Sequence, residues 1–129
     1  MVRVPGYKPG HCEATRIEAR FPDPACNPYL TFAVMLAAGL SGIKGKYKLP
    51  EPTETDVYGL SVLERNAKRI ETLPGSLIEA LEVAEESTMV KQALGEHLFG
   101  KLMINKNVEW DAYRTCVTDY EIKRYLPLL

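Results

Sequence analysis

Apolar and polar positions change their spacing once along the chain, near Asn27. Ahead of it the pattern is strand-like. In Arg16-Ile17-Glu18-Ala19-Arg20-Phe21 every second residue is charged. An extended backbone therefore puts Arg16, Glu18 and Arg20 on one face and Ile17, Ala19 and Phe21 on the other. The short Val2-Arg3-Val4 and the segment Ala14 to Phe21, joined through Gly6, Pro9 and Gly10, read as two strand ends and their loop. Pro22-Asp23-Pro24 stops the second strand, because proline removes ladder donors and restricts the residue before it.

Beyond Asn27 the spacing is helical. Asn27-Pro28 is a helix start, with Asn accepting from free N–H groups and Pro supplying a preset φ. The helix is expected over 27–44. Its apolar residues, from Tyr29 and Leu30 to Leu40 and Ile43, surround it on nearly every side, so it needs cover from protein, which a lone chain of 129 residues is short of. Residues 45–75 lose periodicity, gather Pro50, Pro52 and Pro74, and read as a long connection with at most a short helix near Ser61 to Arg65. Ser76-Leu77-Ile78-Glu79 is a capping box opening a helix with Leu77, Ala80, Leu81 and Ala84 on one face. A short helix ending at Gly95 follows. A helix of about twenty residues then carries Phe99, Leu102, Met103, Trp110, Tyr113 and Val117 at helical spacing. Thr118-Asp119-Tyr120-Glu121 is a further capping box before the end. The fold class expected is α+β, mostly α: one or two N-terminal strands followed by about four to five helices. Its segments are 1–26 (strand and candidate site), 27–44 (buried helix), 45–75 (loop) and 76–129 (C-terminal helices).

Composition sets bounds on this picture. With 46% hydrophobic and 26% charged residues the chain is globular in type, and its size predicts burial of roughly two thirds of the unfolded surface. The net charge of -1 removes the bulk electrostatic case for nucleic acid or an anionic membrane. That charge is uneven. Arg3, Lys8, Arg16, Arg20, Lys44, Lys46 and Lys48 stand against Glu13, Glu18 and Asp23 in residues 1–48, so an anionic ligand is expected on the first third. The apolar run Leu30 to Leu40 is far short of the roughly 20 residues of a membrane span. No secretory h-region opens the sequence, and a cytoplasmic location is expected. Cys12, Cys26 and Cys116 form neither a disulfide framework nor, with His11 and His97, a zinc pattern.

Chemistry concentrates at Arg16-Glu18-Arg20, where two guanidiniums flank one carboxylate. The arrangement has two readings. One is a solvent-facing strand with a charge ladder. The other is a polyanion site, in which Arg forks grip phosphate or carboxylate while the carboxylate holds a hard divalent cation shared with phosphate oxygens. Elsewhere His97 reads as a helix residue and His11 as a turn residue without a partner at metal spacing. Tyr58, near Glu54 and Asp56, is a packed aromatic or a modification site. Lys44, Lys46 and Lys48 solvate a helix C-terminus.

The stretch Arg16-Ile17-Glu18-Ala19-Arg20-Phe21-Pro22-Asp23-Pro24-Ala25-Cys26-Asn27-Pro28-Tyr29-Leu30 resembles the R-[IV]-E-x-R-x-P-D-P-x-x-N-P-Y-L signature of glutamine synthetase. The likeness continues through Ala37 to Lys44, Leu73 to Leu81 and the ending Thr118 to Leu126, and so covers essentially the whole chain. It corresponds to the C-terminal part of the catalytic domain in the type I-like form, the last third or quarter of a longer enzyme.

The resemblance implies ATP-dependent ligation of ammonia to glutamate through γ-glutamyl phosphate, with Mg or Mn ions, in a homo-oligomer whose sites lie between subunits. It gives Glu18 the metal carboxylate, Arg16 the ATP side, Arg20 the glutamate carboxylate or transferred phosphoryl group, and Arg3, in Arg3-Val4-Pro5, the phosphates. Neither nucleic acid nor membrane is an expected partner. The other metal ligands and the nucleotide-binding loops have no counterpart here, so the chain alone is expected to be inactive. In some bacterial members a tyrosine matching Tyr58 is adenylylated, but Val57 and Gly59 differ from that context, and modification is not expected. Two other roles share these residues: a non-catalytic module that joins or regulates a full-length synthetase, and a fragment of a glutamate-polyamine ligase.

Overall fold

A computed structural model describes residues 2–6 and 9–128. Lys8, one of the basic residues of the first third, lies outside the described residues. The chain divides into two units, Met1–Leu73 and Pro74–Leu129, and has two strands and six α-helices among the described residues.

In the first unit β1 (Val2–Arg3) pairs antiparallel with β2 (Glu18–Ala19), in a register that sets Val2 opposite Ala19 and Arg3 opposite Glu18. The second strand is much shorter than the span Ala14 to Phe21 expected from alternation. A 3-10 helix occupies Cys12–Ala14. Pro5 has no N–H to extend the ladder, so β1 offers a partner only two residues long. After β2 the Asp23 carboxylate accepts from the Ala25 N–H at 2.7 Å, which turns the chain toward α1 (Pro28–Lys44). Asn27 caps that helix through its side chain, accepting from the N–H groups of Tyr29 and Leu30, with Pro28 in the first turn.

The end of α1 is a Schellman turn. The Tyr47 N–H donates to the Gly42 carbonyl at 3.1 Å and the Lys46 N–H to that of Ile43 at 3.2 Å, with Lys46 in the left-handed region at φ 49. The Tyr47 ring folds back over Gly45, where an added Cβ would lie 2.9 Å from Tyr47 Cδ1. The same device closes α2 (Val62–Ala67): Ile70 N–H donates to Arg65 O at 2.9 Å and Arg69 N–H to Asn66 O at 3.0 Å, with Arg69 at φ 54. Helix α2 opens with a full capping box between Ser61 and Glu64, so the short helix near Ser61 to Arg65 is present with a defined start.

The second unit packs α3 (Leu77–Glu86), α4 (Thr88–Leu94) and α5 (Glu96–Arg114) around Leu81, Phe99 and Met103, with Leu77, Ala84, Val90 and Leu94 half-buried beside them. The Ser76 box is only half made. The Ser76 hydroxyl accepts from the Glu79 N–H at 3.3 Å, but the Glu79 carboxylate takes the Gly75 N–H at 2.8 Å instead of that of Ser76. Helix α5 ends at Arg114, so Val117 lies beyond it. Helix α6 (Asp119–Tyr125) carries the complete Thr118–Glu121 box.

Burial falls short of what the chain's size predicts. The accessible surface is 11489 Å², against about 6,900 Å² for a typical folded monomer of this mass, so about 45% of the unfolded surface is removed rather than two thirds. Helix α1 has no buried residue, and Tyr29 and Ile43 are 83% and 75% exposed. The cover that its all-round apolar character requires does not come from the rest of the first unit.

Candidate phosphate and metal site

The β1–β2 register builds the site. Pairing Arg3 with Glu18 brings a guanidinium from one strand onto a carboxylate of the other, and alternation adds Arg16 and Arg20 on the same face. Arg3 Nη1 donates to both Glu18 oxygens, at 3.1 Å to Oε1 and 2.9 Å to Oε2. Arg16 Nη2 donates to Oε1 at 2.9 Å, and Arg20 Nη2 to Oε2 at 3.1 Å. All four residues singled out in the sequence therefore meet at one carboxylate.

The electrostatics follow from that count. Three guanidiniums around one carboxylate leave the cluster with a net positive charge. Hydrogen bonding from Arg3 above all, then from Arg20, lowers the Glu18 pKa from 4.5 to about 2; partial desolvation opposes this, and Arg16 adds a lesser lowering. The Glu18 side chain is 24% exposed and the arginines about twice as open. Each arginine reaches Glu18 through one terminal nitrogen, Nη1 of Arg3 and Nη2 of Arg16 and Arg20. The cluster is thus an arginine cradle held in shape by a central carboxylate, a geometry suited to phosphate or carboxylate oxygens.

Glu18 is a hard oxygen donor of the kind Mg and Mn take. No group of three or more His, Cys, Asp or Glu stands together among the described residues. The donor fits such an ion in kind, while most of the six or so oxygens it requires must come from elsewhere.

The other candidates stay apart from this site. His11 Nδ1 lies 3.2 Å from Glu13 Oε1, and His97 is exposed on α5. Tyr58 is 90% exposed, its N–H held by the Asp56 carboxylate at 3.0 Å. The three cysteines form no disulfide. Sequence reasoning missed an open cleft of about 640 Å³ lined by Arg65, Asn66, Arg69, Ile70 and Glu71 among others. The short helix expected near Ser61 to Arg65 forms one side of it, and the S-x-x-E spacing at Ser61 and Glu64 is the further signal that fixes where that helix starts.

The described residues form an α+β chain, mostly α, with an arginine cluster centred on one carboxylate beside a two-stranded ladder. The particular family follows from comparison with known proteins. The family model described as "Glutamine synthetase, catalytic domain" matches residues 1–125, and the chain belongs to that family. It is similar to the glutamine synthetase of Methanococcus maripaludis, 48% identical over 128 residues, covering 99% of this chain and 28% of that protein. The glutamine synthetase of Mycolicibacterium smegmatis is 51% identical over 128 residues, covering 99% and 29%. That of Methanosarcina mazei is 46% identical over 129 residues, covering 100% and 28%. The chain spans under a third of the length of these relatives. No helix among the described residues is long and apolar enough to cross a membrane.

Proposed function

We propose that the chain supplies one wall of the ATP, metal and glutamate site of a cytoplasmic, homo-oligomeric glutamine synthetase, which ligates ammonia to glutamate through γ-glutamyl phosphate. The observation that carries this reading is the convergence of Arg3, Arg16 and Arg20 on Glu18, in a chain of the glutamine synthetase family. Phosphoryl transfer needs charge neutralised and oxygens positioned more than it needs covalent chemistry from the protein. Glu18 would hold a Mg or Mn ion, which draws phosphate oxygens together and offsets their charge. Arg3 and Arg16 would bind the nucleotide phosphates, and Arg20 would stabilise charge developing on the glutamate and phosphoryl groups. Alone, the chain would be inactive, because one carboxylate leaves a hard cation most of its oxygen ligands short.

A chimera tests this. Exchanging the matching segment of the Mycolicibacterium smegmatis relative for this chain should give an enzyme with γ-glutamyl transferase activity, whereas the 129-residue chain by itself should show none above its Glu18→Ala control. Turnover by the isolated chain, or a folded, assembled chimera without activity, contradicts the proposal.

A further inference from the structure

Two arginines stand one turn apart at the end of α2. Arg65 and Arg69 line the cleft of about 640 Å³ together with Asn66, and Val62 and Ile70 give it apolar wall. Among the described residues neither guanidinium makes a hydrogen bond or an ion pair. Glu71 shares the lining without pairing to either, so two guanidiniums face one carboxylate and the cleft keeps one positive charge in excess. Lys68 is engaged elsewhere: its Nζ donates to Thr55 Oγ1 at 3.4 Å, and it does not line this cleft.

A cation near a helix C-terminus opposes the macrodipole, and that accounts for Arg65. It does not account for Arg69. That residue lies at φ 54, in the place at a helix end where glycine is favoured, and its backbone is fixed there by the Arg69 N–H on Asn66 O and the Ile70 N–H on Arg65 O. An arginine in this position gives up stability that glycine would keep, and adds a second fork to the lining. Strain of this kind is explained when the side chain has a ligand. We infer that the cleft binds an oxyanion, the carboxylate or phosphate group of a small molecule, across the Arg65 and Arg69 guanidiniums, with the Asn66 amide as a further donor. Planar forks suit the paired oxygens of either group. Glu71 weakens the hold by like-charge repulsion. The cleft shares no residue with the Glu18 cluster, so the two readings stand or fall separately.

The test titrates the full 129-residue chain with inorganic phosphate and, separately, with acetate, chloride holding the ionic strength constant. NMR follows the backbone amides of residues 65–72 and the Nε–Hε groups of Arg65 and Arg69. Saturable shifts centred on these groups are expected, and the tighter of the two probes names the class of ligand. Arg65→Gln should weaken binding by about two- to fivefold, the range of exposed ion pairs, and Glu71→Gln should tighten it. Arg69→Gly separates a lost ligand contact from a lost fold. It should weaken binding about as much as Arg65→Gln while slowing amide exchange at Ile70, because glycine suits the turn better. Lys68→Gln removes the same charge outside the cleft and should leave the affinity unchanged. Shifts that do not saturate, full affinity in Arg65→Gln and Arg69→Gly, or an equal loss in Lys68→Gln would each overturn the inference.

Discussion

Glu18 shows how three neighbours change the chemistry of one residue. Its depressed pKa means that the ion-pair cluster contributes to the folded state above the ordinary carboxylate value of 4.5 and loses that contribution as pH falls toward about 2. The Glu18 carboxyl resonance should accordingly stay in its ionised position at pH 4 and move only near pH 2, with the Arg3–Glu18 pairing loosening in the same window. Titration near 4.5 would mean that the guanidiniums do not hold it. Lys46 and Arg69 give a second residue-scale expectation. Both sit in the left-handed region at helix ends, a conformation that costs a side-chain-bearing residue roughly 1–2 kcal/mol and glycine little. Arg69→Gly should therefore stabilise the α2 terminus by about 0.5–1 kcal/mol, read from amide exchange of residues 65–70. Slower exchange is the expected result and faster exchange the contrary one. At this scale the sequence was informative about alternation, which placed Arg16, Glu18 and Arg20 on one face. It was silent on the sharing of both Glu18 oxygens, because that depends on the register with Arg3.

Helix starts were the most legible elements. Asn27-Pro28 and Thr118 to Glu121 are local devices, in which a side chain satisfies backbone donors two or three residues away, and the structure contains both. The Ser76 box was half right, because the Gly75 N–H is a competing donor for Glu79. The box at Ser61 and Glu64 went unread amid the prolines around it. Strand extent was poorly legible, since a strand is only as long as its partner and Pro5 limits β1. Hydrogen bonds from Thr118 hold the Glu121 pKa below its ordinary value. That cap should persist at neutral pH and weaken as pH falls through the depressed value. Thr118→Ala should cost about 1 kcal/mol in α6, seen as faster amide exchange at residues 119–122. Unchanged exchange there would show that the cap is not made.

For the molecule as a whole, the sequence already contained the missing cover of α1. A helix apolar on nearly all sides requires protein around it, and this chain leaves Tyr29, Phe32, Leu36 and Ile43 open to solvent. Among the described residues the buried core of the second unit is Leu81, Phe99 and Met103, a small core that leaves much apolar surface to be covered by association. The purified chain should self-associate as concentration rises in sedimentation velocity experiments, and a single monomeric species at high concentration would contradict this. Such dependence on neighbours accords with a chain that spans under a third of its relatives.

The central claim is that the Glu18 cluster does phosphoryl-transfer chemistry rather than solvating a strand. It is tested most directly by steady-state kinetics of Glu18→Ala and Arg20→Ala in the chimeric enzyme, titrated separately in ATP, metal and glutamate. Glu18→Ala should weaken apparent metal and nucleotide binding together, because one carboxylate serves an ion shared with phosphate oxygens. Arg20→Ala should lower turnover by about 10²-fold or more with a smaller change for nucleotide, and Arg20→Lys should not restore it fully. Unaltered kinetic parameters in both variants, with no more than about 1 kcal/mol lost in stability, would show the cluster to be a solvated charge ladder and contradict the account.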